Sequence, residues 1–191
     1  AMITDARKTA VINEELSKLN VDIAALQETR LASDGTLREK DYTFFWHGKD
    51  PDEPRIHGVG FAVKNRLLPS ITPPTGGSER LLTLQLSTSS GPLTLISAYA
   101  PTLLASDEDK NHFYDELNTA IAATSSSDGL FILGDFNARV GADFDAWPSN
   151  IGHFGIGQIN DNGQRLLELC CLHNLCITNT FFANKQHRRV S

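Results

Sequence analysis

Leu130-Phe131-Ile132-Leu133-Gly134 runs directly into Asp135-Phe136-Asn137-Ala138-Arg139. A short apolar run bounded by turn residues reads as a strand buried on both faces. The polar group at its carboxyl end does not resemble ordinary turn chemistry. If the backbone stays extended past Gly134, Asp135 and Asn137 share a face, because side chains two apart in a strand point the same way. Two other stretches repeat this arrangement. Asp22 to Gln27 (DIAALQ) is an apolar run followed by Glu28-Thr29-Arg30, and Leu93 to Tyr99 (LTLISAY) ends just before Ala100-Pro101. Polar groups at the ends of buried strands converge at one rim of a sheet, where ligands often bind.

The remaining chain organises around these strands. Ile12, Leu16 and Leu19 recur at helical spacing, which predicts a helix over Asp5 to Leu19. Tyr42 to Trp46 and Val59 to Lys64 read as strands, with polar loops over 32–41 and 49–57. Arg80 to Ser87 alternates, and Thr88-Ser89-Ser90-Gly91-Pro92 joins it to Leu93–Tyr99 as an antiparallel hairpin. Helices are predicted over Asp107 to Ala123 and Asn162 to His173, the latter with Asn162 as its cap. A last strand is predicted over Leu175 to Thr178. Paired strands mixed with irregularly spaced helices favour a layered α/β domain over a regular Rossmann unit.

The chain has 191 residues, enough for one domain, with 40% hydrophobic and 21% charged residues. This composition supports a sizeable core and excludes fibrous, disulfide-scaffold and wholly disordered classes. No apolar run approaches the length of a membrane span. The net charge of −6 argues against a protein that coats nucleic acid by bulk electrostatics, but not against an enzyme acting on it. Cys170, Cys171 and Cys176 have no metal-ligand spacing and read as buried reduced thiols, which points to an intracellular protein.

The residue types suit metal-assisted phosphodiester hydrolysis. A hard cation such as Mg²⁺ needs oxygen ligands, and one or two carboxylates plus a substrate phosphate suffice; Glu28 can be one. Asp135 can activate or position water, while Asn137 and Tyr99 can stabilise charge on phosphorus-bound oxygens. Each residue has a plainer reading. Glu28 can be a turn charge, Asp135–Asn137 a strand-closing turn, and Tyr99 a core aromatic with a satisfied hydroxyl. Asp143 and Asp145 read as solvated loop acids.

Gln27-Glu28-Thr29-Arg30, Tyr99-Ala100-Pro101 and Gly134-Asp135-Phe136-Asn137, in this order after three apolar strands, resemble the endonuclease/exonuclease/phosphatase superfamily. The closer resemblance is to endonuclease domains of LINE-type retrotransposons. The strings HGVGFAV (57–63), GDFNARVG (134–141) and NGQRLLELC (162–170) are similar to the group of craniofacial development protein 2-like proteins. The resemblance spans nearly the whole chain, as a single domain over 1–191. It implies a four-layer αββα sandwich, Mg²⁺ or Mn²⁺ as cofactor, and nicking of DNA to leave a 3′-hydroxyl. It implies Glu28 as metal ligand, Tyr99 on the scissile phosphate, Asp135 orienting or deprotonating water, and Asn137 holding the phosphate. DNA contacts are expected from Arg30, Arg139, Lys185, Arg188 and Arg189, and a nuclear location more readily than a cytoplasmic one.

The superfamily pattern also has an opening strand carrying asparagine, and closing strands carrying an aspartate and a Ser-Asp-His motif. Neither is found in this sequence. The expectation is therefore a domain incomplete at both ends, with impaired nicking and self-association through unpaired strand edges. The alternative is a non-catalytic binding or assembly module. A third reading keeps the enzyme class with a lipid or RNA phosphodiester as substrate.

Overall fold

The computed structural model of the chain describes residues 5–50, 52–53 and 57–183. These divide into two compact units, one of residues 1–99 with 124–134, the other of residues 100–123 with 135–191.

The first unit begins with helix α1 (Asp5–Lys18), followed by strands β1 (Ile23–Gln27), β2 (Asp34–Arg38), β3 (Tyr42–His47) and β4 (Val59–Lys64). These pair entirely antiparallel in the order β1-β4-β3-β2. The stripe of Ile12 and Leu16 on α1 packs on one face, over Tyr42, Phe44 and Ala62. Asn13 fixes the register of this layer, its side-chain oxygen accepting from the backbone N–H groups of Asp41 and Tyr42.

A second sheet has the order β5-β6-β7-β8, from β5 (Ile71–Thr72), β6 (Leu81–Thr88), β7 (Gly91–Tyr99) and β8 (Gly129–Asp135). Alternation along each strand sends one set of side chains inward. Phe45, Val59, Phe61 and Val63 of the first sheet thereby form one core with Leu82, Leu84, Leu95 and Tyr99 of the second. Phe61 is fully buried at its centre. Phe61→Ala should cost about 3–5 kcal/mol, because the lost transfer energy adds to a cavity that rigid sheets cannot close. Urea denaturation should show this as a lowered midpoint at unchanged slope.

Unit two contains α2 (Asp107–Ala122) and α3 (Asp161–His173). Ser106 caps α2 by accepting from Asp109 N–H, and three acidic residues in its first turn complement the helix dipole. The cap of α3 is Asn160, whose side chain accepts from Gly163 N–H; this corrects the assignment of Asn162. Asn162 lies two residues past the cap, inside the first turn, and is buried.

Three further expectations need correction. The polar stretch 34–38 is a strand, held to β3 with alternate residues exposed. Residues 175–177 are not a strand. Asn150 takes their backbone instead, donating from Nδ2 to Leu175 O and accepting Ile177 N–H at its own carbonyl, and a 3-10 turn follows at Thr178–Thr180. Of the cysteines, only Cys170 is buried. Burial pushes its thiol up to about 12. Cys171 and Cys176 are exposed, although all three are free thiols.

Candidate active site

In the first unit, β1 delivers Glu28 by a change of backbone hand. Glu28 and Arg30 both have left-handed φ, of 52° and 54°. Side chains other than glycine or asparagine adopt this region only where surrounding structure imposes it. Here Thr29 N–H donates to Gly58 O and Arg30 N–H to His57 O, both at 3.1 Å, extending the β1–β4 ladder around the turn. Gln27 anchors the strand end across the two sheets. Its Nε2 donates to Ser97 Oγ at 3.2 Å, and that hydroxyl donates to Leu26 O.

The Tyr99 hydroxyl donates to Glu28 Oε1 at 2.8 Å, and Arg30 Nη2 lies 3.3 Å from Oε2. Tyr99 is buried, whereas the Glu28 side chain is 48% exposed and so open to a ligand. The Tyr99 hydrogen bond holds the Glu28 carboxyl below its ordinary range; partial desolvation opposes this and Arg30 reinforces it. Glu28 is therefore an anion, oriented and half open to water.

Arg80 builds the wall behind this pair. Its Nη1 donates to Tyr99 O at 3.1 Å and its guanidinium carbon lies 5.5 Å from the Tyr99 ring centroid. Nη2 lies 3.1 Å from His57 Nε2; a guanidinium can only donate, so that nitrogen accepts. Neither Arg80 nor His57 stood out in the sequence. The signal was present, however. Stepping outward from the turn pair Thr88↔Gly91 to Leu81↔Ala98 brings Arg80 opposite Tyr99.

Tyr99→Phe tests this arrangement. Losing the hydroxyl removes the main stabiliser of ionised Glu28, so its carboxyl should protonate at higher pH than in the parent. The sign follows from linkage. A depressed carboxyl contributes stability present above its unfolded pKa and lost as pH falls through the folded value, and the variant should lack that increment. A carboxyl ¹³C titration of Glu28 reads the shift directly, and an unmoved midpoint would contradict the assigned cause.

Within the second unit, Asp135 and Asn137 are brought together, but not by extended backbone. Strand β8 ends at Asp135, and Asn137 is left-handed with φ 47°. Asn137 N–H donates to Asp135 Oδ1 at 2.9 Å, an Asx turn, so the shared strand face gives way to a tight loop. Asn137 Nδ2 donates to Ala100 O at 2.9 Å, and Ala100 N–H donates to Asp135 O at 2.9 Å. One carboxylate oxygen and one amide hydrogen are spent on this geometry, leaving the others for a ligand. Arg139 is exposed, its backbone joined to Asn160 by a reciprocal pair of hydrogen bonds at 3.0 Å.

Asp143 and Asp145 are exposed, and Asp143 Oδ1 accepts Ala146 N–H, as turn acids do. Lys185, Arg188 and Arg189 lie outside the described residues. Among the described residues no group of three or more His, Cys, Asp or Glu is placed to hold a metal. The donor set at Glu28 therefore fits a hard cation held through one carboxylate with water and phosphate, as Mg²⁺ is commonly held, and does not fit an all-protein cage.

Residues 4–187 match the Endonuclease/Exonuclease/phosphatase family. Craniofacial development protein 2 of Bos taurus is 32% identical over 95% of the chain, and that of Tragulus javanicus 31% identical over the same share. The chain spans 30% and 31% of the length of these relatives. Among solved structures, the endonuclease domain of TRAS1, a telomere-specific non-LTR retrotransposon, superposes with a TM-score of 0.57 at 14% identity. The match covers 86% of this chain and 65% of that one. The AP endonuclease LMAP from Leishmania major gives 0.60 at 16% identity, covering 88% and 62%. With two four-stranded sheets sharing a core, motif residues at their strand ends and the family match over residues 4–187, the chain is a member of the endonuclease/exonuclease/phosphatase family.

Proposed function

We propose that the chain carries the cation- and phosphate-gripping residues of a Mg²⁺- or Mn²⁺-dependent DNA endonuclease that leaves a 3′-hydroxyl. The observation that carries this is the Tyr99–Glu28 hydrogen bond, which keeps a half-exposed carboxylate ionised and oriented. The nuclease relatives by fold favour nucleic acid over a lipid substrate.

A divalent cation at Glu28 supplies Lewis-acid stabilisation of charge on the phosphate. The chain's own groups do the rest. Glu28 fixes a carboxylate oxygen, and Tyr99 holds it there. Asp135, through the oxygen not given to Asn137 N–H, accepts a proton from the attacking water. Water oxygen bonds to phosphorus, the bond from phosphorus to the 3′ oxygen breaks with its electron pair going to that oxygen, and the resulting alkoxide takes its proton from solvent to become the 3′-hydroxyl. Asn137, with its second amide hydrogen, donates to a non-bridging oxygen. Arg30, Arg139 and the basic residues Lys185, Arg188 and Arg189 contact the backbone phosphates.

A single protein carboxylate on the cation implies weak metal affinity and slow turnover. Supercoiled plasmid should be nicked in Mg²⁺ or Mn²⁺ and left intact in EDTA, with nicks that a polymerase extends directly. Absence of nicking at high protein-to-plasmid ratio in both metals, or nicks that a polymerase cannot extend, would refute the proposal. Self-association belongs to the same reading. Strand β8 lies at a sheet edge among the described residues, and Phe131 is 53% exposed on it. Light scattering across a dilution series reads whether such edges pair between copies.

A further inference from the structure

The stretch Asn160-Asp161-Asn162-Gly163 opens α3, and Asn160, Asp161 and the Asn162 amide nitrogen each hold a defined partner. Asn160 caps the helix and also accepts Arg139 N–H. Asp161 accepts from the buried Lys110 of α2 at 3.0 Å. Gly163 has no room for a side chain: a Cβ there would lie 1.8 Å from Arg139 O. Asn162 is 1% exposed, and its Nδ2 donates to Pro101 O at 2.9 Å and to Asn137 O at 3.2 Å. Its own Oδ1 has no hydrogen-bond partner among the described residues. An unsatisfied buried acceptor is a cost that an apolar residue avoids, so what this position retains is the pair of N–H donors.

Those donors meet the chain at two consequential places. Asn137 is left-handed, so its carbonyl leaves the strand ladder and needs a donor from elsewhere; Asn162 is that donor. Pro101 lies two residues beyond Tyr99, and Ala100 between them receives the Asn137 side chain. We propose that Asn162 is a positioning residue, fixing the Asp135–Asn137 loop so that Asn137 presents its amide to the phosphate. This rests on the function proposed above for its catalytic part, but the fixing of the loop does not.

Asn162→Asp keeps the shape and replaces the donating nitrogen by an oxygen that faces two carbonyl oxygens. Hydrogen exchange should accelerate at Asn137 and Arg139 N–H by about tenfold or more, with β6 and β7 unchanged. The nicking kcat should fall about 10- to 100-fold while KM for plasmid changes little. In an Asn137→Ala background the same change should cost less than about threefold, because the group being positioned is gone. Asn162→Ser, which retains one smaller donor, should fall between the parent and Asn162→Asp, and it carries the test if the aspartate variant does not fold. Unchanged exchange at Asn137 and Arg139 overturns the inference, as does an equal loss of kcat with and without the Asn137 amide. A parent chain that never nicks DNA refutes the proposed function, and the exchange measurement then still decides whether Asn162 fixes the loop.

Discussion

Glu28→Gln should lower the rate of plasmid nicking by about 10³-fold, the equivalent of several kcal/mol of transition-state stabilisation. Glutamine has nearly the same shape, and its side-chain oxygen still accepts from the Tyr99 hydroxyl. The turn held by Gly58 and His57 does not involve the side chain at all. What disappears is the charge. Mn²⁺ binding followed by calorimetry should weaken in parallel with the rate, and the thermal midpoint should stay close to the parent value. A variant that nicks at the parent rate would remove Glu28 from the chemistry. One that unfolds would mean that the Tyr99–Glu28 pair serves structure first.

Gly134→Ala should lower the rate by about 10²-fold through geometry alone. An added Cβ would lie 1.8 Å from the backbone oxygen of Ala98, far inside van der Waals contact, and neither partner is a flexible side chain. Strand β8 must therefore shift away from β7 at the residue immediately before Asp135. A displacement of about 1 Å is enough for the loss, and the overpacking should cost about 1–3 kcal/mol of stability. Denaturation and nicking assays on the same preparation separate the two effects. A stability loss with the rate per folded molecule intact would show that Asp135 is not fixed through β8.

The two largest effects fall on residues whose neighbourhoods were unequally legible. The hairpin of β6 and β7 follows from alternation and a turn of Ser, Gly and Pro, and its register follows from the turn. The apolar runs ending at Gln27 and Gly134 announce strands correctly, but the expectation that 130–134 is buried on both faces is corrected: among the described residues β8 is an edge strand with no fully buried residue, and Phe131 on it is 53% exposed. Strand β2 escapes because Asp34-Gly35-Thr36-Leu37-Arg38 has an ordinary loop composition; it is a strand only because β3 offers an open edge, with the Trp46 ring lying over Gly35. The stretch after α3 fails in the opposite sense: Leu175–Thr178 has strand-like residues, but the side chain of Asn150 and the cap of α3 take its backbone groups. At the site, the types and order of Glu28, Tyr99, Asp135 and Asn137 are visible in the sequence. Left-handed φ at Glu28 and Asn137 is not, because it is imposed by partners distant in the chain. Arg80 and His57 went unnoticed because each is unremarkable until a strand register brings them beside Tyr99.

Asn162-Gly163 is also the dipeptide most prone to deamidation, in which the following backbone nitrogen attacks the side-chain carbonyl to close a succinimide. The fold suppresses this: the Gly163 nitrogen is tied to the Asn160 cap, and Asn162 is held in the first turn of a helix. Heating the chain through its transition releases both restraints. Hydrolysis of the ring then leaves aspartate or isoaspartate where two carbonyl oxygens expect a donor. Time spent unfolded should accumulate as covalent damage in this loop, so that thermal inactivation becomes irreversible by chemistry even where the polypeptide itself remains able to refold.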